Sequence, residues 1–241
     1  MVAHARSPQS ADIIYPDSNG QPMADNTQQF RWITTIKHNL DWLFAADSNI
    51  FIAGDLLWYP VEGRPDITTA PDVLVVFGCP KGDRGSYKQW EEADIAPQVV
   101  FEILSPSNTR IRMAEKLLFY ERHGVEEYYL YDPDTIYLEG WLRGDSGLEA
   151  ITSIRGWVSP RLQIRFELSE ETLTIYDPAG IPFLSYVEIA QQLEQERQRA
   201  EQERQRADEE HQRAEQAMQQ VQDMTKLLEQ YQAQFGQLPP G

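Results

Sequence analysis

The sequence predicts a mixed α/β (α+β) fold, in which a β-sheet is flanked by helices and followed by a long C-terminal helix. Three observations support this fold class. Short apolar runs with strand character alternate with two amphipathic helical patterns in residues 27–185. One strand–helix–strand unit, residues 97–132, has the order expected of a parallel crossover. From residue 186 onward, a seven-residue repeat replaces these patterns.

Changes in composition divide the chain into three segments. Residues 1–26 are polar and contain Pro, Ser and Asn, so we predict a flexible N-terminal segment. Residues 27–185 hold the strand and helix patterns and are predicted to form the folded domain. Residues 186–241 form a helical, coiled-coil-like tail. The chain of 241 residues is long enough for one core of moderate size and an appendage.

The elements of the domain follow from hydrophobic periodicity and from turn residues. Helical spacing of apolar residues predicts helices, and short apolar runs bounded by Gly, Pro, Asn or Asp predict strands. The predicted elements are, in order, a helix at 27–46, strands at 50–60, 71–78 and 97–104, a helix at 109–123, a strand at 125–133 and the later strands of a meander. Ser107 or Asn108 is the predicted N-cap of the second helix, and Gly124 lies just past its end.

The tail carries a heptad repeat that predicts a long helix. The unit QERQRAE recurs at an interval of seven residues. The residues of one apolar heptad position are Leu193, Ala200, Ala207, Ala214, Val221, Leu228 and Phe235. The partner position holds Glu196, Glu203 and Glu210, which weakens the specification of a coiled coil. Two alternatives therefore stay open, a homodimer through this helix and a single solvated helix held by i,i+4 Glu–Arg pairs.

The composition is strongly acidic, with a formal net charge of −17 at pH 7. Because attraction to phosphate depends on Lys and Arg, any nucleic-acid chemistry requires a local basic site or a bound metal. No stretch approaches the ~20 apolar residues of a membrane span, so we expect no membrane association. The first residues lack the apolar core of a secretory signal, and Cys79 is the only cysteine. Both features fit a reducing, cytoplasmic setting.

Two carboxylates in apolar strands are the first candidate site residues. Glu102 interrupts the strand at 97–104, where an uncompensated charge would cost about 3–5 kcal/mol. Asp72 begins the preceding apolar run, so the two side chains converge at one end of the sheet if these strands are neighbours. Two nearby carboxylates repel each other unless a cation such as Mg²⁺ (or Mn²⁺) lies between them. The alternative is a salt bridge with a nearby Arg or Lys.

Lys116 is the third candidate site residue. It lies on the helix that directly follows the Glu102 strand and packs back over the sheet, so it could reach the carboxylates. A lysine in that place could help to activate an attacking water or could neutralise charge on a phosphate. Tyr120 lies one turn further along the helix and can face the same way. The alternative is a solvent-facing lysine beside Glu115.

Other polar residues are weaker candidates. Asp55 interrupts another apolar strand and could add a third carboxylate, or it could be a turn residue. Ser105 and Ser107 are candidates for hydrogen bonds to a substrate phosphate, with helix capping as the alternative. Lys81 and Arg84 lie in a basic loop with interleaved Gly and Trp, which could contact a phosphate backbone or could be a solvated loop.

Three stretches of the chain together resemble the Uma2 family of endonucleases. They are APDVLVVFG, PQVVFEILSPSN and EKLLFYERHGVEEYYLYDP, in the expected order and spacing over roughly residues 30–170. The resemblance implies a restriction endonuclease-like fold of the PD-(D/E)XK type. It also implies Mg²⁺-dependent hydrolysis of nucleic-acid phosphodiester bonds, with DNA as the expected substrate.

The resemblance assigns roles to individual residues. Asp72 and Glu102 correspond to the acidic metal ligands of the family. In the PD-(D/E)XK motif, a lysine is expected two residues after the second acidic residue, where this chain has Leu104. The resemblance implies that the Uma2 family supplies this lysine from the next helix instead, where this chain has Lys116. Many relatives carry an Asp where this chain has Arg112. These departures leave an alternative function, a catalytically inactive nuclease-fold binding module that acts through a partner or through self-association of its tail.

Overall fold

The structure is a computed structural model that describes residues 13–18, 20 and 22–236. The chain divides into two units, residues 1–185 and residues 186–241. The helices are α1 (Thr27–Leu43), α2 (Arg110–Arg122) and α3 (Tyr186–Phe235). The strands are β1 (Ile50–Gly54), β2 (Trp58–Tyr59), β3 (Val73–Phe77), β4 (Tyr87–Lys88), β5 (Val99–Ile103), β6 (Glu127–Asp132), β7 (Tyr137–Gly144), β8 (Gly147–Ala150), β9 (Arg165–Leu168) and β10 (Leu173–Tyr176).

A six-stranded mixed sheet forms the centre of the first unit, in the order β1-β3-β5-β6-β7-β8. β5 and β6 run parallel and are connected through α2, whereas every other neighbouring pair in this sheet is antiparallel. The parallel crossover predicted from the sequence is therefore confirmed. Within the described residues, β2 pairs with β4 and β9 pairs with β10 in two smaller sheets.

Both faces of the sheet are covered, and β5 contributes to both layers of the core. Val99, Phe101 and Ile103 pack with α1 and with the β9–β10 hairpin on one face. Val100 packs on the opposite face, in the cluster that includes residues of α2. Because side chains alternate along a strand, Glu102 also lies on the α2 face. The mixed sheet with helical cover confirms the predicted fold class.

Of the two predictions about the ends of α2, one was wrong and the other is confirmed. The N-cap is Thr109, whose side chain accepts the backbone N–H of Arg112, so the prediction of Ser107 or Asn108 was wrong. The Asn108 side chain is used in the preceding turn instead, where Oδ1 accepts the backbone N–H of Ser105 at 2.7 Å. Gly124 follows the helix with φ +93°, a conformation that favours glycine, as predicted.

Part of the predicted flexible segment at 1–26 lies outside the described residues, namely 1–12, 19 and 21. The described part contacts the domain. The ring of Tyr15 packs against Tyr59 and Trp90, with centroid distances of 5.3 Å and 4.9 Å. The Pro16 carbonyl accepts a hydrogen bond of 2.8 Å from the Tyr59 hydroxyl. These contacts join the segment to the β2 region of the domain.

The predicted long C-terminal helix is confirmed as α3, which has 50 residues. Its side chains are exposed from residue 186 to residue 234, including Leu193, Val221 and Leu228 of the heptad seam. A homodimer through this seam stays a prediction. Among the described helices, none combines the length and the hydropathy that crossing a membrane would require.

The two-layer core predicts a contrast between two aromatic residues. Phe101 is 2% exposed and stacks with Tyr129, whereas Trp42 on α1 is 83% exposed. We expect Phe101→Ala to lower the free energy of unfolding by about 3–5 kcal/mol, because it leaves a cavity in the core. Trp42→Ala should change it by less than about 0.5 kcal/mol. Urea denaturation followed by circular dichroism measures both, and equal losses would contradict the assigned core.

Candidate active site

A buried ion pair between β5 and α2 is the centre of the candidate site. Glu102 is 3% exposed, so its carboxylate requires compensation. Lys116 provides it, with Nζ at 2.6 Å from Oε1 and 2.7 Å from Oε2 of Glu102. The Tyr120 hydroxyl donates to the same Oε1. Both carboxylate oxygens thus accept charge-assisted hydrogen bonds.

The helical repeat of α2 explains why one helix supplies both donors. Lys116 and Tyr120 are four residues apart and therefore lie on the same face, one turn from each other. Tyr120 is fully buried, and its burial together with the charge of Glu102 raises its pKa well above the usual value. The hydroxyl therefore stays protonated and acts as a donor. Lys116 Nζ also donates to the Ala70 carbonyl at 3.3 Å.

Asp72 is held next to this pair by the end of β5. It directly precedes β3, and its Oδ2 accepts the backbone N–H of Ile103 at 2.6 Å. Gln29 of α1 donates to the same Oδ2 at 3.4 Å and to the Ile103 carbonyl at 3.0 Å. Asp72 Oδ1 accepts no hydrogen bond from the part of the chain that the structure describes. Burial, with a contribution from the Glu102 charge, raises the pKa of Asp72 to about 8.

Asp72, Glu102 and Lys116 line one cavity of about 340 Å³. Asp55 also lines it, at the end of β1, where its backbone adopts a φ of +49°. Burial raises the pKa of Asp55 to about 6, and the Glu102 charge adds to that rise. Arg112 is a further lining residue, one turn before Lys116 on α2. Among the described residues, the cavity lining therefore combines two cations with five carboxylates, those of Asp25, Asp55, Asp72, Glu102 and Glu115.

The donor chemistry of the cavity fits a hard divalent cation held by few protein ligands. Mg²⁺ in proteins is commonly bound by one or two carboxylates, with water and substrate phosphate completing its shell. Among the described residues, no group of three or more His, Cys, Asp or Glu side chains is placed to hold a metal ion. Asp55 thus lies in the cavity without forming a three-carboxylate cluster. The pKa of Asp72 is raised, so a cation at its Oδ1 atom would stabilise the charged form of this carboxylate.

Ser105 and Ser107 are engaged beside the cavity rather than in its lining. Ser105 Oγ donates to Asp25 Oδ2 at 2.5 Å, and the Ser107 hydroxyl donates to the same oxygen. These two hydrogen bonds, and to a lesser extent the charge of Arg112, lower the pKa of Asp25. Asp25 itself lines the cavity. The serines therefore hold a lining carboxylate, and their predicted contact with substrate stays a prediction.

Lys81 and Arg84 also have partners outside the cavity lining. Lys81 Nζ donates to the Phe44 carbonyl at 2.6 Å, just past the end of α1. Arg84 Nε donates to Glu92 Oε1 at 2.6 Å, and its guanidinium lies 4.1 Å from the centre of the Phe51 ring. Neither residue lines the cavity. A substrate contact through this loop likewise stays a prediction.

Gln29 and Asp25 are residues of the site that the sequence reasoning missed. Gln29 had a signal, because it shares the buried face of α1 with Ile33 and Ile36 and is a polar residue on an apolar stripe. It is 6% exposed, as a residue in the lining of a core would be. Asp25 had none, since its partner Ser105 lies 80 positions away in the sequence.

The comparisons with known proteins place the chain in a class of restriction-endonuclease-like proteins. A family model described as "Putative restriction endonuclease" matches residues 18–169, more than half of the 241 residues. The family is Uma2, and the chain belongs to it, which confirms the resemblance seen in the sequence. The family description is that of a nuclease, a class of enzymes that hydrolyse nucleic acid.

No curated protein matches the chain. One similar solved structure is the crystal structure of a "putative nuclease belonging to DUF820" from Anabaena variabilis ATCC 29413. The two chains are 18% identical, with a TM-score of 0.41, over 56% of this chain and 72% of that chain.

The raised pKa of Asp72 predicts a pH-dependent stability. In metal-free buffer the folded state holds a proton on Asp72 up to about pH 8, whereas the ordinary pKa of the group is 3.8. The stabilisation is therefore complete below about pH 4 and is lost as the pH rises through 8. Asp72→Asn cannot titrate, so its stability relative to the wild type should rise by up to about 1.4 kcal/mol per pH unit. Urea denaturation between pH 5 and pH 8 measures this slope. Asp145→Asn, at an exposed position, is the control. If the free energy of unfolding of Asp72→Asn and of the wild type changed in parallel with pH, the prediction would be contradicted.

The buried pair predicts strong coupling between its two partners. Lys116→Met should destabilise the protein by about 3–5 kcal/mol, since it leaves the Glu102 carboxylate buried without a cation. The double variant Glu102→Gln with Lys116→Met removes both charges and should recover much of that loss. Chemical denaturation of the wild type, both single variants and the double variant measures the coupling. Additive losses would show that the pair does not act as a unit.

Proposed function

We propose that this chain is a metal-dependent endonuclease that hydrolyses nucleic-acid phosphodiester bonds, with Mg²⁺ (or Mn²⁺) as cofactor and DNA as the expected substrate. One observation carries the proposal, the convergence of Asp72, Glu102 and Lys116 in one cavity from three different elements. Membership of the Uma2 family supports the nuclease class. The acidic residues and the lysine are those that phosphodiester hydrolysis with a divalent cation requires.

Asp72 and Glu102 would hold the metal. Asp72 Oδ1 accepts no hydrogen bond from the described residues, so it is available to a metal. Glu102 lies close enough for its charge to raise the pKa of Asp72. When bound, a divalent cation supplies Lewis-acid stabilisation of the charge on the scissile phosphate and the leaving oxygen. Gln29 and the backbone of Ile103 orient Asp72, and Tyr120 orients Glu102, so these groups act as positioning residues.

Lys116 orients Glu102 and presents a cation to the substrate. Its ammonium group has three donors, and the structure directs them to the two oxygens of Glu102 and to the Ala70 carbonyl. The contact with Ala70, at 3.3 Å, is the longest of the three and the most easily exchanged. An attacking water or a phosphate oxygen takes the place of the Ala70 carbonyl. Lys116 then aligns the reacting oxygen while it keeps both contacts with Glu102.

A plasmid cleavage assay tests the proposal. We expect purified wild-type protein to nick supercoiled DNA, or to cut single strands, in Mg²⁺ or Mn²⁺, and EDTA should abolish the activity. Glu102→Gln and Asp72→Asn should lose detectable activity, and Lys116→Met should lose about 10²–10⁴-fold. Lys37→Met is the matched control, because Lys37 forms an i,i+4 ion pair with Asp41 on α1 and does not line the cavity.

Two results would contradict the assignment. The first is the absence of cleavage by folded wild-type protein on DNA and RNA, single- and double-stranded, with either metal. The second is cleavage that survives in Glu102→Gln or persists in EDTA, since either would assign the activity to another site or to a contaminating nuclease. Circular dichroism spectra of each variant establish that loss of activity is not loss of fold.

A further inference from the structure

A second cation, Arg112, shares the cavity with Lys116. The two residues are four positions apart on α2, so their side chains leave the same face of the helix about 6 Å apart along its axis. In the described part of the chain, they are the basic residues that line this cavity. Lys116 is 15% exposed at its side chain and is committed to Glu102, whereas Arg112 is exposed. The cavity thus has one internal cation and one that faces solvent.

The Arg112 guanidinium has no partner among the described residues. Its backbone N–H donates to Thr109 Oγ1 at 3.2 Å, but the structure gives its side chain no hydrogen bond, ion pair or ring contact within the described chain. A free guanidinium offers two parallel N–H donors that match the oxygens of a phosphate. The side chain is therefore available for an anionic ligand that enters the cavity.

The stability of α2 does not explain Arg112. The first turn of α2 contains no acidic residue, and a basic side chain there is disfavoured by the positive end of the helix. Asp25 is a carboxylate that responds to Arg112, since the Arg112 charge helps to lower its pKa. Asp25 already accepts hydrogen bonds from Ser105 and Ser107, however, and no ion pair with Arg112 forms. Balancing Asp25 is the structural alternative that an experiment must separate from ligand binding.

We propose that Arg112 forms a phosphate-binding subsite of the cavity, which holds the phosphodiester next to the scissile one on the same strand. The proposal rests on the function proposed above. A chain with a net charge of −17 repels a polyanion, and the carboxylates of the cavity add to that repulsion. A free arginine in the same cavity offsets the repulsion where the strand must enter. Its spacing from Lys116 suits two neighbouring phosphates of one backbone.

Nucleic-acid binding at several salt concentrations tests the subsite. Full-length protein is titrated into fluorescein-labelled single- and double-stranded oligonucleotides in Ca²⁺, and fluorescence anisotropy gives the affinity. We expect Arg112→Gln to weaken binding about tenfold. The slope of log affinity against log salt should fall in magnitude by about 0.7 for single strands or 0.9 for duplex, the loss of one phosphate contact. Arg112→Lys should keep the slope and lose part of the affinity, because a lysine keeps the charge without the bidentate geometry.

Arg110→Gln is the matched control. Arg110 is an exposed arginine in the same first turn of α2, but it lines a different cleft, together with Trp141. The control removes the same charge from the same turn. Because Arg110 does not line the cavity, its removal should leave the salt slope unchanged. An equal change of slope in Arg110→Gln and Arg112→Gln would overturn the subsite and indicate a general effect of charge.

The structural alternative has its own variant. If Arg112 only balances Asp25, then adding Asp25→Asn to Arg112→Gln should restore affinity and slope, and that result would overturn the subsite. Binding by Arg112→Gln equal to the wild type, or no binding by the wild type, would also overturn it. Binding with an Arg112-dependent slope but no cleavage in Mg²⁺ would refute the proposed nuclease and leave the subsite standing. Cleavage by Arg112→Gln with KM and kcat equal to those of the wild type would refute the subsite and leave the proposed nuclease standing.

Discussion

The rest of the site depends on the buried contact between the Glu102 carboxylate and the Lys116 ammonium. The carboxylate lies on a central strand, under a helix, and only 3% of the residue is exposed to solvent. The lysine compensates the charge only because α2 begins at Arg110 and packs back over β5. Strand alternation, helix phase and crossover connection are therefore all required for one ion pair. A shift of one residue in β5 would turn Glu102 toward the opposite core layer.

The order of strands in the sheet brings the second carboxylate to this pair. β3 lies beside β5, so the residue directly before β3 reaches the backbone at the end of β5. Asp72 uses this position to accept the Ile103 N–H, and Gln29 joins α1 to the same point. Three elements that are distant in sequence are thereby tied together around one cavity. The side-chain contacts of the site therefore depend on the backbone pairing of β3 with β5.

Local pattern was sufficient to predict the elements that carry the site. An acidic residue on an apolar strand, followed by a helix with lysine and tyrosine one turn apart, identified Glu102, Lys116 and Tyr120 as neighbours. The N-cap was predicted wrongly, because Asn108 forms a local turn that competes with capping. Asp25 was missed, since its contact with Ser105 depends on tertiary folding and leaves no mark on local periodicity. The convergence of Asp72 with Glu102 depended on strand order, which periodicity alone does not give.

The proton on Asp72 competes with any cation that would bind the same carboxylate. Without a metal, the burial that raises the pKa of this carboxyl to about 8 leaves it largely neutral at physiological pH. Any cation that uses Asp72 as a ligand must first displace that proton, so occupancy of the cavity is a competition between hydrogen ions and metal ions. For such a cation, acidification would favour the proton on Asp72, whereas alkaline conditions would favour binding of the metal. The affinity of Asp72 for any such cation would thereby be coupled to the acidity of its surroundings.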